Sequence, residues 1–226
     1  MTGMLASVTS LDEAALVLGA QVDIIDLKQP EQGALGALET GLVRQIVTHI
    51  DGRCPVSATV GDLPMQPTLV FEAVKAMAET GVDYIKIGFF PGGDWTGTVA
   101  KLSALTRQHA LIAVLFADAQ PDLSIIATLK NADFKGAMLD TMDKQKGSLV
   151  QVMDKTIIGQ FVAQTKACQL LCGLAGSLRL TDIAGLMPYQ PDYLGFRGAL
   201  CQQHNRTAQL DTEAIARIRQ AIVDAA

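Results

Sequence analysis

A lysine amine attacks a carbonyl carbon only after losing its proton, so lysines set into apolar strands are the first residues to weigh. Three are so placed. Lys28 ends the run VDIIDLK two residues after Asp26, and the breakers Pro30, Gly33 and Gly36 follow at once. A strand sends alternate side chains to one face, so Asp26 and Lys28 project together at a strand mouth that faces a loop. Lys86 lies within the apolar stretch YIKIG, and AMLDTMDK ends a strand on Asp140 with Lys144 one short loop beyond. Burial and neighbouring cations would free such amines as nucleophiles, and Lys28 and Lys86 could shift each other. The plainer reading pairs Lys28 with Asp26 and Lys144 with Asp140 or Asp143 as structural ion pairs. Three lysines and two aspartates at one kind of position favour chemistry over pairing alone.

Positioning them falls to an alternation of short apolar runs and amphipathic stretches, the pattern of successive βα units on a parallel sheet. Strands are expected over Met4–Val8, Val22–Lys28, Pro55–Gly61, Tyr84–Phe89, Leu111–Asp118, Gly136–Thr141, Leu170–Gly176 and Tyr193–Gly198. Helices are expected over Leu11–Gly19, Leu38–Ile50, Pro67–Thr80, Thr96–His109, Leu123–Asn131, Leu149–Lys166, Thr181–Met187 and Thr212–Ala225, with Ser10 and Thr181 as N-caps and Gly81 as a C-cap. Eight strands each followed by a helix read as a single (β/α)8 TIM barrel over residues 1–226, with a doubly wound open sheet as the alternative. In such a barrel the reacting groups stand at the C-terminal ends of the strands. Asp26, Lys28, Lys86, Asp140 and Lys144 all fall there, joined by Ser7, Asp118 and Arg197.

The same topology gives meaning to two glycine-rich stretches, GLAGS (Gly173–Ser177) and GFRGAL (Gly195–Leu200). They follow the seventh and eighth strands, where these barrels bind phosphate through backbone N–H groups. Gly173, Ala175, Gly176, Ser177 and Gly198 are therefore expected to approach an anion, with Arg197 adding a bidentate charge. On composition alone a plain turn would be an equal reading, and location favours phosphate. Three features carry less. Trp95 could close over the rim, though packing under a loop is the commoner case; Ser57 and Thr59, ahead of Asp62, fit a hydroxyl layer inside the barrel as well as substrate contact; and Asn205 with Arg206 could hold a second phosphate or nothing.

Composition narrows the classes. A net charge of −5, a pI near 5.1 and no basic run argue against a nucleic-acid partner. No apolar run approaches a membrane span, and MTGMLASVTS has no basic segment of a signal peptide, so the cytoplasm is the expected location. His49, His109 and His204 stand far apart, and Cys54, Cys168, Cys172 and Cys201 form no metal-binding pattern, so neither metal nor cofactor is expected.

Taken together and in order, DIIDLKQPEQGALGA, VSATVGDLP, DYIKIG, FADA, AMLDT with a lysine four residues after its aspartate, LCGLAGS and GFRGALC resemble the (5-formylfuran-3-yl)methyl phosphate synthase family, which makes the furan precursor of methanofuran. The resemblance runs over nearly the whole chain. It implies a lyase that joins two molecules of glyceraldehyde 3-phosphate through a lysine Schiff base, losing phosphate and water. Lys28 matches the family's Schiff-base lysine and Lys86 its proton-transferring lysine, while Asp26, Asp140 and Lys144 occupy matching positions. The substrate would be a small triose phosphate, and an assembly of identical chains is compatible with it. The family's pattern differs in the fifth βα unit and around MDKQKGSL. Two other readings stay open: another Schiff-base aldolase or triose isomerase of this fold, and a barrel that binds a phosphometabolite without turning it over.

Overall fold

In the computed structural model, which describes residues 1–225, eight parallel strands close in sequence order into a barrel. The strands are β1 (Gly3–Val8), β2 (Ile24–Leu27), β3 (Val56–Thr59), β4 (Tyr84–Phe89), β5 (Ala110–Phe116), β6 (Gly136–Asp140), β7 (Leu171–Leu174) and β8 (Tyr193–Phe196). The helices are α1 (Leu11–Gly19), α2 (Thr40–Ile50), α3 (Pro67–Ala78), α4 (Trp95–Leu102), α5 (Ile125–Asn131), α6 (Leu149–Val152), α7 (Lys155–Ala167), α8 (Leu180–Leu186) and α9 (Thr212–Asp224). The ring closes where β1 pairs with β8, Leu5 opposite Gly195. This is the (β/α)8 barrel the alternation implied, and the open-sheet alternative is excluded. Among the described residues no helix is long and apolar enough to cross a membrane.

Strand alternation divides the core in two. On β5, Leu111, Ala113 and Leu115 face the helices, while Ile112, Val114 and Phe116 face inward. The same parity sends Ile25 and Leu27 outward on β2, and Ile85 and Ile87 outward on β4. Asp26, Lys28 and Lys86 are therefore inward. An interior that is apolar along β5 thus carries a polar cluster on the β1–β4 side, joined at the mouth by Asp140 of β6.

At the opposite end of the barrel, carboxylates tie strands together in pairs. Asp23, just before β2, accepts from Met4 N at 2.7 Å; Asp83, before β4, accepts from Val56 N at 2.7 Å; Asp192, before β8, accepts from Cys172 N at 2.6 Å. Each aspartate satisfies a backbone donor of the strand preceding its own.

Element boundaries differ from the sequence expectation where a side chain intervenes. Ser10 caps α1 by accepting from Glu13 N, as expected. Thr181 does not cap α8. Asp182 accepts from Arg179 N at 2.9 Å, which moves the cap to Arg179 and puts Thr181 in the first turn. Gly81 is not the C-cap of α3 either: the cap is Glu79, and Gly81 takes a left-handed conformation (φ +85°) two residues on. The single helix expected over Leu149–Lys166 is two, because Asp154 caps a fresh start at α7, accepting from Thr156 N at 2.7 Å. The helix expected to His109 ends at Leu102.

Gly173 lies within β7, on the inward face, where a Cβ would stand 2.3 Å from the ring of Tyr193. Its role here is to make room for that ring. Gly173→Ala should therefore destabilise the protein by about 1–3 kcal/mol through overpacking. Urea denaturation would check this, and an unchanged midpoint would contradict it.

Candidate active site

The C-terminal mouth of the barrel holds a cavity of about 240 Å³ lined by Lys28, Lys86, Asp140 and Lys144. Its floor is built on Asp26, which is fully buried. The register sets Asp26 of β2 beside Ser7 of β1 and Ser57 of β3. Ser7 Oγ donates to the carboxylate at 2.9 Å, Ser57 Oγ at 2.7 Å and Lys86 Nζ at 3.0 Å. Burial pushes this carboxyl up, but the charges of Lys86 and Lys28 together with the Ser57 bond hold it below the ordinary value.

Asp140, at the end of β6, anchors a second pair. Lys144 Nζ donates to it at 2.5 Å and also to the Thr141 carbonyl. Burial again opposes ionisation, and Lys144, Lys28 and Lys86 outweigh it, bringing the Asp140 carboxyl down to about 2. Asp118 holds the turn that carries Lys144: its two oxygens accept from Met142 N at 2.7 Å and Asp143 N at 2.8 Å. It serves the loop and does not itself line the cavity.

Lys28 stands between these pairs, nearly buried. Among the described residues no salt bridge reaches its Nζ, because Lys86 has taken Asp26 and Lys144 has taken Asp140. The pairing of Lys28 with Asp26 that the sequence allowed is absent. Burial lowers its pKa from 10.5 to about 8, with Asp140 and Asp26 opposing and Lys86 and Lys144 assisting. It is the amine of the three best placed to be neutral at working pH.

The rim after β7 and β8 divides differently from expectation. Ala175, Gly176, Ser177 and Gly198 line the cavity, while Gly173 lies within β7 against Tyr193 and does not. Gly176 has φ +108°, and a Cβ there would stand 2.8 Å from Thr141 Cγ2, so the residue also seats the β7 loop against the β6 loop. Among the described residues the backbone N–H groups of Gly176 and Ser177 donate to no protein acceptor. Arg197 also lines the cavity, but its guanidinium is spent on the protein. Nη1 and Nη2 fork onto Glu13 of α1 at 2.6 and 3.1 Å, and the remaining bonds go to the carbonyls of Ser7, Arg206 and Ala208. A guanidinium has five N–H groups, and these contacts use them all.

Of the rim's other two arginines, the sequence reading missed Arg179 and placed Arg206 with Asn205 as a possible holder of a second phosphate. Arg179 was not singled out, although a basic residue two positions after Ser177 was a signal to be had. Arg206 lines the cavity and donates to the carbonyls of Pro30 and Gly33, tying the β8 loop to the β2 loop. That loop is held again by Asp62, which accepts from Ala34 N and Leu35 N. It lays Leu35 over Gly88 and Phe116, roofing the β4–β5 side and leaving the β7–β8 side open. Trp95 packs edge-on against Phe89 and donates to the Phe90 carbonyl, and Thr59 donates to the Gly36 carbonyl. Both are structural.

If Lys28 titrates as this geometry requires, its reactivity toward a small acetylating reagent, followed by peptide mass spectrometry, should rise with pH to a half-maximum near 8. Asp140 raises the Lys28 pKa, so Asp140→Asn should move that midpoint to lower pH; a midpoint that moves up would contradict the arrangement.

A family model for 4-HFC-P synthase matches residues 4–219 of the chain. A (5-formylfuran-3-yl)methyl phosphate synthase of Methanopyrus kandleri is 32% identical over 221 residues, covering 90% of this chain and 91% of the relative. One of Methanocaldococcus jannaschii is 30% identical over 230 residues, covering 96% and 98%. A Methylorubrum extorquens protein provisionally given the same name is 42% identical over 219 residues, covering 97% and 89%. Among solved structures, 3-hexulose-6-phosphate synthase from Salmonella typhimurium superposes with a TM-score of 0.73 at 13% identity over the full length of both chains, a likeness of fold alone. A barrel whose mouth carries two lysine–aspartate pairs around a third, unpaired lysine thus has relatives along almost its entire length, and the chain belongs to the 4-HFC-P synthase family of enzymes.

Proposed function

We propose that the protein is a lyase that condenses two molecules of glyceraldehyde 3-phosphate into (5-formylfuran-3-yl)methyl phosphate for methanofuran biosynthesis, through a Schiff base on Lys28. The observation that carries this reading is the unpaired Lys28 amine, with its pKa lowered to about 8, between two ion pairs that occupy the other lysines. About a tenth of such an amine is neutral at pH 7, far more than of an ordinary lysine.

Lys28 Nζ attacks the aldehyde carbon of one triose, and water leaves as the iminium forms. The iminium acidifies the adjacent C–H, and Lys86, having given its proton to the water that left, accepts that proton and returns to the ammonium that Asp26 holds at 3.0 Å. The electron pair released into the enamine expels phosphate from the third carbon, which leaves an enol attached to the iminium. Lys144, whose Nζ donates to Asp140 at 2.5 Å, stands at the cavity as a proton donor for the departing phosphate. In the product the carbon that lost phosphate is bonded to the central carbon of the other triose, the one that keeps its phosphate. The second triose must therefore react as the ketone, reached from the aldehyde by the same proton shift between adjacent carbons. The enol carbon attacks that carbonyl, the ring closes through oxygen with loss of two waters, and hydrolysis of the iminium takes back the water lost when it formed, freeing the aldehyde and Lys28. The balance is two triose phosphates to one furan aldehyde phosphate, one phosphate and two waters. No external oxidant or reductant enters.

Borohydride reduction of the protein mixed with glyceraldehyde 3-phosphate should add the mass of one reduced adduct, mapped to Lys28. Lys28→Ala and Lys28→Arg should show neither adduct nor product, since arginine stays charged and forms no imine. Lys86→Gln, which keeps an N–H donor toward Asp26, should still form the adduct while exchanging the substrate's α-proton with deuterated water roughly 10²–10⁴-fold more slowly. An adduct on Lys86 that survives loss of Lys28 would reverse the two roles. The product should show the absorbance of a conjugated furan aldehyde; an aldol sugar in its place would make the protein an aldolase.

A further inference from the structure

The steps above leave one arginine of the cavity without work. Arg179 roots at the start of α8, where its backbone N is fixed by Asp182, and its side chain lines the same cavity as Lys28. Its Nη1 is buried and has no hydrogen-bond partner among the described residues. That nitrogen lies 3.8 Å from where a Cβ on Gly198 would stand, in the gap between the β7 and β8 loops. Leaving a charged donor buried and unpaired costs on the order of 1–3 kcal/mol or more, and a fold carries that cost most readily where a ligand offsets it.

The charge count of the cavity points to the same residue. Asp26 neutralises Lys86, Asp140 neutralises Lys144, and Glu13 neutralises Arg197. Lys28 is the reacting amine. Among the described residues this leaves Arg179 and Arg206 as cavity cations without a carboxylate within salt-bridge distance, and Nη2 of Arg206 is committed to two carbonyls. Among the described residues Arg179 is the one whose guanidinium makes no hydrogen bond to the protein, whereas Arg206 is tied to the β2 loop, and Arg179 stands just after Gly176 and Ser177, whose backbone N–H groups donate to no protein acceptor. A planar fork beside free amides suits the tetrahedral oxygens of a phosphate monoester.

We propose that Arg179 grips the phosphate of the aldehyde bound at Lys28 and so sets the preference for phosphorylated over unphosphorylated substrates, the role that Arg197 cannot fill. The proposal rests on Lys28 being the imine-forming residue.

Borohydride trapping on Lys28 titrated with glyceraldehyde 3-phosphate and, separately, with glyceraldehyde tests it in wild type, Arg179→Met and Arg179→Lys. Arg179→Met should raise the half-saturating concentration of the phosphorylated aldehyde roughly 10–100-fold, the worth of one charged contact, and leave that of glyceraldehyde unchanged. Arg179→Lys should recover part of the loss. Because no protein group depends on Nη1, the melting temperature of Arg179→Met without ligand should equal or exceed that of wild type. Inorganic phosphate should raise the melting temperature of wild type and not of Arg179→Met. An unchanged titration with the phosphorylated aldehyde, or an equal loss for both aldehydes, would overturn the assignment. If wild type is trapped by neither aldehyde, the Lys28 reading is what fails, and the phosphate-dependent melting shift still decides for or against Arg179.

Discussion

Everything at the mouth of this barrel depends on a mismatch of charge: three buried or half-buried lysines share two buried aspartates. Removing an ion from water is costly, and a partner offsets the cost only at close range with its remaining hydrogen bonds satisfied. Asp26 and Asp140 meet that condition, each with one lysine and further donors from hydroxyl or backbone groups. Lys28 does not, and the whole penalty of burial falls on its protonated form. The sign follows from linkage. Its folded pKa, about 8, lies below the 10.5 of an exposed lysine, so protonated Lys28 costs the fold stability below pH 8, and that cost disappears as pH rises from 8 to 10.5. Asp140 does the reverse, adding stability above pH 4 that is lost as pH falls toward 2. The pairs pin two lysines in place and leave the third strained toward neutrality.

Such a balance needs placement to a fraction of an ångström, and the strands supply it through register. Ser7, Asp26 and Ser57 are aligned neighbours on three consecutive strands, so a carboxylate and two of its donors are fixed by backbone pairing before any side chain chooses a rotamer. The loops are less constrained by nature, and carboxylates do for them what the ladder does for strands. Asp62 holds the β2 loop and Asp118 the β6 loop, each through two backbone N–H groups. Arg197 plays the same part in cationic form, joining β8 to α1.

Strand and helix order, inward parity and the residues of the cluster were all legible in the sequence, because periodicity and strand ends are local properties. Which lysine pairs with which aspartate was not. Asp26 and Lys28 are two residues apart and point the same way, yet Asp26 pairs across the barrel with Lys86, sixty positions on. Closing the ring decides that pairing, and adjacency along the chain cannot. Arg197 and Arg179 show the same limit: both follow glycine-rich turns, and only the position of Glu13 on a distant helix shows that the first is occupied. The splitting of α6 from α7 at Asp154 and the displaced cap of α8 were readable in principle, since each is set by an aspartate at the appropriate offset from the helix start.

Tyr193, lodged against Gly173 and packed with Leu5 and Ile112, closes the barrel beneath the lysines, while Leu35 roofs one side above them. Among the described residues the cavity thus has its floor at Tyr193 and its opening on the β7–β8 side. In the proposed condensation of two trioses, a phosphate set free beside that rim would leave by the opening through which the second substrate enters. Departure of one anion and arrival of the next would then be successive events at the same threshold, an order that the floor of the barrel would impose and no reacting group would have to enforce.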